Sequence, residues 1–411
     1  MRRNLFLILI SAVIFGGGGY LIGLGQLRFS FANYKPAVVL NKQSTKYQDV
    51  DFAQFWLVWD KLSEQYVDKT VLDSKKMVDG AISGMVSSLG DPYTVFLPKT
   101  QNDEVKADLD GAFEGVGIQL GFKEKILAVV SALEGTPAKK AGVKSGDFIV
   151  HVKDVAKAID RDTSGITLPE AVSIIRGTRG TEVELTLVRE SEAKPIVMKL
   201  IRDTIVVKSA TVEYKDNVAW IKLNRFGDRT QEEWLDAVEQ ITNRKPQITG
   251  IVLDLRNNPG GYLEGSVYIA SEFLPMGKVV VTQQYGDGSK TEHKVTRAGS
   301  LLKTQLVILI NEGSASAAEI LAGALQDYKR AKIVGMKSFG KGSVQQPEDF
   351  SDGSGIHITI AKWLRPSGDW IDKIGIKPDV EVPVDPSTSS GQVDTGQLQD
   401  VQLDKAMEML K

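Results

Sequence analysis

Hydrophobic and polar positions fall into several distinct rhythms along the chain. Residues 4–27 form an uncharged run rich in Leu, Ile, Val, Phe and Gly. After a polar stretch to about Tyr47, Phe52, Phe55, Trp56, Trp59 and Leu62 recur at helical spacing. That spacing predicts an amphipathic helix over 52–66 whose apolar stripe enters a core. A second helical stretch, 75–89, stops at Gly90-Asp91-Pro92-Tyr93-Thr94. From 111 to about 203 the pattern becomes short alternating strands broken by glycine turns, with helices expected near 137–141 and 168–175. From Thr211 onward strand and helix alternate: strands over 218–223 and 250–255 flank a helix over 230–242, and apolar runs at 306–310 and 333–335 continue the series. This order predicts an α/β core. Residues 339–363 continue into strands, 386–397 are Ser-, Thr- and Gly-rich like a flexible linker, and 398–410 carry Leu403, Met407 and Leu410 on one helical face. That face suits docking on the core or on another subunit.

Composition changes the picture in three places. The length of 411 residues, with 42% hydrophobic content, allows two or three domains and a sizeable core. Fifty basic against 52 acidic residues leave a net charge of -2, so no global field recommends nucleic acid as a partner. The absence of cysteine excludes disulfides, cysteine nucleophiles and thiolate zinc sites. Met1-Arg2-Arg3 precedes the first apolar run, which is long enough to span, since roughly 20 apolar residues cross a bilayer. A signal peptide core of about 7–15 residues is the competing reading, because the glycines at 16–19 could end it. An uncleaved anchor is expected over 1–27, with the two arginines cytoplasmic and the remainder outside the cytoplasm, in the periplasm or cell envelope.

The chemistry concentrates in residues 311–346. An apolar strand gives way to the small-residue turn Gly313-Ser314-Ala315-Ser316 and then to a helical pattern. A serine there ordinarily does no more than cap the helix. The hydroxyl of Ser316 and the amide of Ala317 nevertheless fall at a helix N-terminus, where unpaired N–H groups favour an oxyanion. Further on, Lys341 lies between Gly340 and Gly342, a position that lets a side chain turn inward as readily as it lets a loop lysine stay solvated. Gly335 to Lys341 has phosphate-loop spacing, but Gly342 stands where magnesium needs Ser or Thr. Glu319, three positions after Ser316, rules out the penicillin-binding type of serine–lysine pair. His151, His293 and His357 lie outside these motifs, and no pair of histidines has metal-ligand spacing on a helix.

On Ser314-Ala315-Ser316-Ala317 and Phe339-Gly340-Lys341-Gly342 the chain resembles the carboxyl-terminal processing peptidases, tail-specific proteases that combine a Ser-Lys dyad with a PDZ domain. The resemblance implies Ser316 as nucleophile, Lys341 as base and Gln345 as the residue that orients the lysine. Asp254 to Gly261 resembles the family's second oxyanion loop, so the Ala317 amide and that of Gly260 or Gly261 would stabilise the oxyanion. Gly115-Val116-Gly117-Ile118, with Gly135-Thr136-Pro137-Ala138 and Ile174-Ile175-Arg176-Gly177, resembles a PDZ domain. Val116, Gly117 and Ile118 would there bind a substrate's terminal carboxylate. Leu89 to Leu97 resembles the phrase before that domain, and Gly375-Ile376-Lys377-Pro378-Asp379 the phrase closing the core.

The fold this implies is α/β (α+β): a crotonase-like or ClpP-like protease core with an inserted PDZ domain and an N-terminal helical segment. The expected organisation is an anchor at 1–27, a linker at 28–48, the N-terminal helical part of the protease at 49–110, the PDZ domain at 111–203, the core at 204–385, and a linker with a C-terminal helix at 386–411. The implied function is endoproteolysis near the C-termini of polypeptides, with no cofactor and no metal, gated by the PDZ domain. A homo-oligomer stays open. A PDZ scaffold that binds without cutting and a crotonase-like acyl-CoA enzyme are the rival readings. The intact Ser316, Lys341 and Gln345 speak against the first, and the PDZ insertion against the second.

Overall fold

The computed structural model describes residues 27–32, 35–40, 50–123, 126–133, 135–144, 146–166, 168–189, 191–383 and 400–411. The expected anchor lies outside them except for Leu27, and the linker expected at 386–397 lies outside them altogether. Among the described residues no helix is long and apolar enough to cross a membrane. The chain divides into two compact units, 1–78 and 79–411.

In the first unit β1 (Leu27–Ala32) and β2 (Lys35–Leu40) pair antiparallel within the stretch expected to be a linker. Helix α1 (Ala53–Gln65) forms where the apolar spacing predicts it, but none of its residues is buried, and Trp56 is 57% exposed. The expectation that its stripe enters a core is corrected. The aromatic rings pack on one another instead, Phe55 on Trp56 at 5.1 Å and Trp56 on Trp59 at 6.1 Å. Helix α2 (Ser74–Ser87) carries the chain into the second unit.

The second unit opens with β3 (Val95–Leu97) and α3 (Lys99–Asp110). There follow β4 (Ala112–Gly115), β5 (Ile118–Lys123), β6 (Ile126–Ala132), α4 (Pro137–Lys140), β7 (Phe148–Asp154), β8 (Ile159–Asp162), α5 (Leu168–Ile175), β9 (Glu182–Val188), β10 (Ile196–Ile201) and β11 (Asp203–Val206). These strands make an antiparallel sheet in the order β10-β9-β7-β6-β5, with β8 on β7. Leu127, Ile149, Val152, Ala171, Leu185 and Leu187 fill its core. Strands β4 and β11 pair with each other, so the chain enters and leaves this inserted segment through one ribbon.

The rest is two sheets. Strands β12 (Ala210–Lys215), β13 (Val218–Leu223), β14 (Gly250–Asp254), β17 (Gln305–Ile310), β18 (Lys332–Gly335) and β21 (Val380–Glu381) lie side by side in that order, parallel from β13 onward. Both faces are covered, which is why these strands read as continuous apolar runs. Ile251, Leu253, Ile308 and Ile310 face helices α6 (Thr230–Asn243), α7 (Leu263–Phe273) and α8 (Ala317–Asp327). Val252, Val307, Leu309 and Val334 pack against Leu403 and Ala406 of α9 (Val401–Glu408) and against Leu410 just beyond it, so the C-terminal helix docks on the core. The second sheet is antiparallel, ordered β16-β15-β20-β19, from β15 (Val279–Tyr285), β16 (Lys290–Lys294), β19 (Ser343–Asp349) and β20 (Gly355–Leu364). Strand β3 joins its β20, tying the segment before the insertion to the segment after it.

Candidate active site

Two loops at the carboxyl ends of neighbouring parallel strands, the position where α/β sheets present ligand sites, form the base of the site. Residues 255–261 follow β14 and 311–316 follow β17. Their asparagines stitch them together. The Asn257 amide donates to Asn311 Oδ1 at 2.8 Å, and Asn311 Nδ2 donates to Asn257 Oδ1 at 2.8 Å. Asn258 Nδ2 donates to the Leu223 carbonyl at 2.7 Å, and the Asn258 carbonyl accepts the Ala315 amide at 2.9 Å. Buried Ser314 donates its hydroxyl to the Leu255 carbonyl at 2.8 Å and accepts the Asn311 amide at 3.0 Å. Of the two serines in this turn, Ser314 is therefore committed to structure.

Ser316 stands at the N-cap of α8 with φ 53 and ψ -116. Side chains other than hydrogen rarely adopt this backbone, and holding it costs on the order of 1–3 kcal/mol. The restraint comes from Glu319, a completely buried residue at the third position of the helix. One carboxylate oxygen accepts the amides of Ser316 at 2.8 Å and Lys341 at 2.9 Å, and the other accepts the Gly340 amide at 2.7 Å and the Ser338 hydroxyl at 2.5 Å. Burial pushes this carboxyl above its ordinary range while the four donors pull it back. Sequence reasoning used Glu319 only to exclude another enzyme class. Its place three residues after a serine N-cap, the capping-box spacing, is the signal that could have found it.

Gly260, at φ 98, lies against the turn so closely that a Cβ there would stand 2.8 Å from Ser316 Cβ. Its own amide donates to Asn258 Oδ1 at 2.9 Å. The amides of Gly261 and Ala317 have no acceptor among the described residues.

The lysine loop is fixed from both sides. The Gly340 carbonyl accepts the Lys373 amide at 2.8 Å, the Lys341 carbonyl accepts Trp363 Nε1 at 2.8 Å, and the Gly342 carbonyl accepts Trp370 Nε1 at 2.8 Å. A Cβ on Gly340, at φ 91, would come within 2.9 Å of the Gly375 amide. Lys341 Nζ lies 5.0 Å from the centre of the Tyr93 ring. Burial lowers its pKa below that of an ordinary lysine, with Asp91 and Glu319 opposing the shift. Gln345 donates through Nε2 to Ser343 Oγ at 2.9 Å and Thr359 Oγ1 at 3.1 Å.

Ser316, Lys341, Gln345, Gly260 and Gly261 line one cavity of about 570 Å³, whose walls include Leu109, Ile320, Val344, Ile360 and Trp363. His357 lines it too. Burial and the charge of Lys341 push its imidazole pKa down, against Asp349. The other histidines pair elsewhere, His151 with Asp160 at 3.1 Å and His293 with Gln283 at 2.8 Å. Val116, Gly117 and Ile118 lie apart, in the inserted segment. The carbonyls of Val116 and Gly117 accept the amides of Ala138 and Leu133, both at 2.9 Å, and Ile118 opens β5, the outermost strand of its sheet.

Residues 217–382 match the model of peptidase family S41, and 13–101 match that of the activating protease CtpB N-terminal domain. The chain is 37% identical over 385 residues to the carboxy-terminal processing protease CtpA of Bacillus subtilis, covering 93% of this chain and 78% of that one. It is 35% identical over 353 residues to the carboxy-terminal-processing protease of Bartonella bacilliformis, covering 84% and 78%. Among solved structures, the photosystem II D1 C-terminal processing protease superposes with a TM-score of 0.51 at 28% identity, covering 82% of this chain and 95% of that one. An S41 protease from Bacteroides fragilis, at 16% identity, shares the fold with a TM-score of 0.57 over 90% and 99% of the two chains.

Proposed function

Because the chain belongs to the carboxy-terminal processing protease family, within peptidase family S41, we propose that it cuts polypeptides near their C-termini through a Ser316–Lys341 dyad. The observation that carries this reading is the meeting in one cavity of a serine on a strained helix N-cap and a lysine whose burial lowers its pKa. Ser316 Oγ attacks the scissile carbonyl and passes its proton to Lys341 Nζ, which later delivers it to the departing amine. The oxyanion would be met by the amides of Ala317 and Gly261, since that of Gly260 is taken by Asn258. Both amide hydrogens of Gln345 are taken by hydroxyls, which leaves its oxygen to hold the lysine.

The 111–203 segment acts in this reading as a PDZ domain that takes a substrate C-terminus beside β5, the end strand of its sheet, with Val116, Gly117 and Ile118 at the carboxylate. Gating is supported by the run of the chain. Helix α3 lends Val105, Asp108 and Leu109 to the cavity wall and passes straight into the inserted segment. An apolar anchor ahead of residue 28 would place the enzyme outside the cytoplasm.

The test is cleavage of an unfolded protein with an apolar C-terminus. Activity should rise with pH through an apparent pKa below the ordinary lysine value of about 10.4. Ser316→Ala and Lys341→Ala should abolish it, and Lys341→Arg should fail because a guanidinium stays protonated. Near-normal turnover in Lys341→Ala would overturn the dyad.

A further inference from the structure

We propose that Asp91 is a positioning residue of the dyad, holding Gln345 and the charge of Lys341 in place through Thr94 and Thr359. The inference rests on the Ser316–Lys341 reading. Asp91 belongs to the turn Gly90-Asp91-Pro92-Tyr93-Thr94, far from the dyad in sequence, and the strand it leads into, β3, is hydrogen-bonded to β20, next to the strand that carries Gln345. One Asp91 oxygen accepts the Tyr93 amide at 3.0 Å and the other accepts the Thr94 hydroxyl at 2.6 Å. The Thr94 oxygen accepts the Thr359 amide at 3.0 Å, so Thr94 bridges the Asp91 carboxylate to strand β20. Burial raises the Asp91 pKa, but the hydrogen bonds the carboxylate accepts outweigh it and hold the group below its ordinary range.

The direction of these bonds is what makes the arrangement functional. A carboxylate only accepts, so the Thr94 hydroxyl donates to Asp91 and offers its lone pair to the Thr359 amide, which fixes Thr359 where its hydroxyl oxygen accepts Gln345 Nε2. That turns the Gln345 oxygen away from Thr359 and frees it for an ammonium. The same turn lays the Tyr93 ring over Lys341 Nζ.

Other charged groups face the lysine. Glu319 on α8 attracts it, His357 on β20 opposes it when protonated, and Asp372 acts on the Tyr93 hydroxyl. Glu319 is saturated by backbone amides and Ser338, whereas the bonds of Asp91 lead to the residue that would hold the lysine. When Lys341 takes the proton of Ser316, an ammonium forms where burial disfavours it, and a fixed anion reduces that cost. Asp91 itself exchanges no proton.

The experiment is a pH–rate profile of the full chain for Asp91→Asn, Thr359→Val and Lys341→Ala, with thermal melts alongside. Asp91→Asn should lower kcat about tenfold and move the acid limb to lower pH, because the ammonium loses a stabilising charge. Thr359→Val should lower kcat with KM unchanged and the acid limb nearly in place. An unmoved acid limb in folded Asp91→Asn overturns the proposal. If Asp91→Asn does not fold, wild-type kcat in Thr359→Val overturns it instead, and a lowered kcat there supports it. Lys341→Ala separates the two readings. An active Lys341→Ala sinks the dyad, whereas an inactive one beside an unaltered Asp91→Asn sinks the role of Asp91 alone.

Discussion

The inserted segment and the core each pair an arginine with aspartate, fully buried in the first and partly exposed in the second, and the two arginines hold different things. In the inserted segment Arg202 meets Asp154 at 2.6 Å with both side chains fully buried, and also donates to the Ile175 carbonyl at 2.9 Å and Thr181 Oγ1 at 2.9 Å. All of these partners belong to the segment itself. In the core Arg256 reaches Asp254 at 2.6 Å and Asp400 at 2.8 Å, joining the base of the 255–261 loop to the entry of the C-terminal helix. The inserted segment is thus self-contained and meets the core through the β4–β11 ribbon and α3. The core uses the Arg256 pairs to brace the 255–261 loop, which in the proposed mechanism carries an oxyanion donor. A body that closes on itself can move as a unit, and a loop proposed to hold an oxyanion cannot.

The comparison can be broken most forcefully at Arg202. Arg202→Ala leaves Asp154 buried without its partner and should cost about 3–5 kcal/mol. Limited proteolysis during a thermal melt should then cut first within 112–206 while the core strands persist, and simultaneous loss of both regions would show that they are not independent. A smaller effect is expected from Arg256→Ala, about 1.5–3 kcal/mol for its charged hydrogen bonds. Here the readout is catalytic, a fall in kcat with KM unchanged, because the loop carrying Gly260 and Gly261 loses its brace. If kcat stays intact while the melting temperature falls, Arg256 is structural only.

The mildest intervention is acid. Burial raises the pKa of Asp400, but the hydrogen bonds from Arg256 and the Leu403 amide outweigh it, so the folded value is depressed. A depressed acid stabilises above its unfolded pKa of about 3.9 and loses that contribution as pH falls through the folded value. Hydrogen exchange of 401–408 should therefore quicken below about pH 4 before that of β14 and β17. Arg256→Ala should erase this pH dependence.

Much of the site was legible locally. The apolar run before Gly313 and the helical spacing after Ser316 report a strand, a turn and a helix, because side-chain periodicity follows directly from backbone geometry. The glycines around Lys341 were legible as positions that let the lysine turn inward, and packing against Gly375 is what requires one at Gly340. Helix α1 shows the limit of the same reasoning. Its apolar spacing correctly predicted a helix and wrongly predicted a buried one, since periodicity marks a stripe without naming what covers it.

By itself the sequence determined that Ser316 sits at a helix N-terminus, that a lysine follows between glycines, and that strands and helices alternate around them. Tertiary structure alone decided that Ser314 bonds to Leu255, that Asn258 takes the Gly260 amide and leaves that of Gly261, and that Glu319 ties the serine turn to the lysine loop. It also brought Asp91 and Tyr93 to Lys341 by pairing β3 with β20. Local pattern fixes dihedral angles and faces, whereas a loop amide's partner depends on which strands lie side by side, and that is settled only when the distant segments pack.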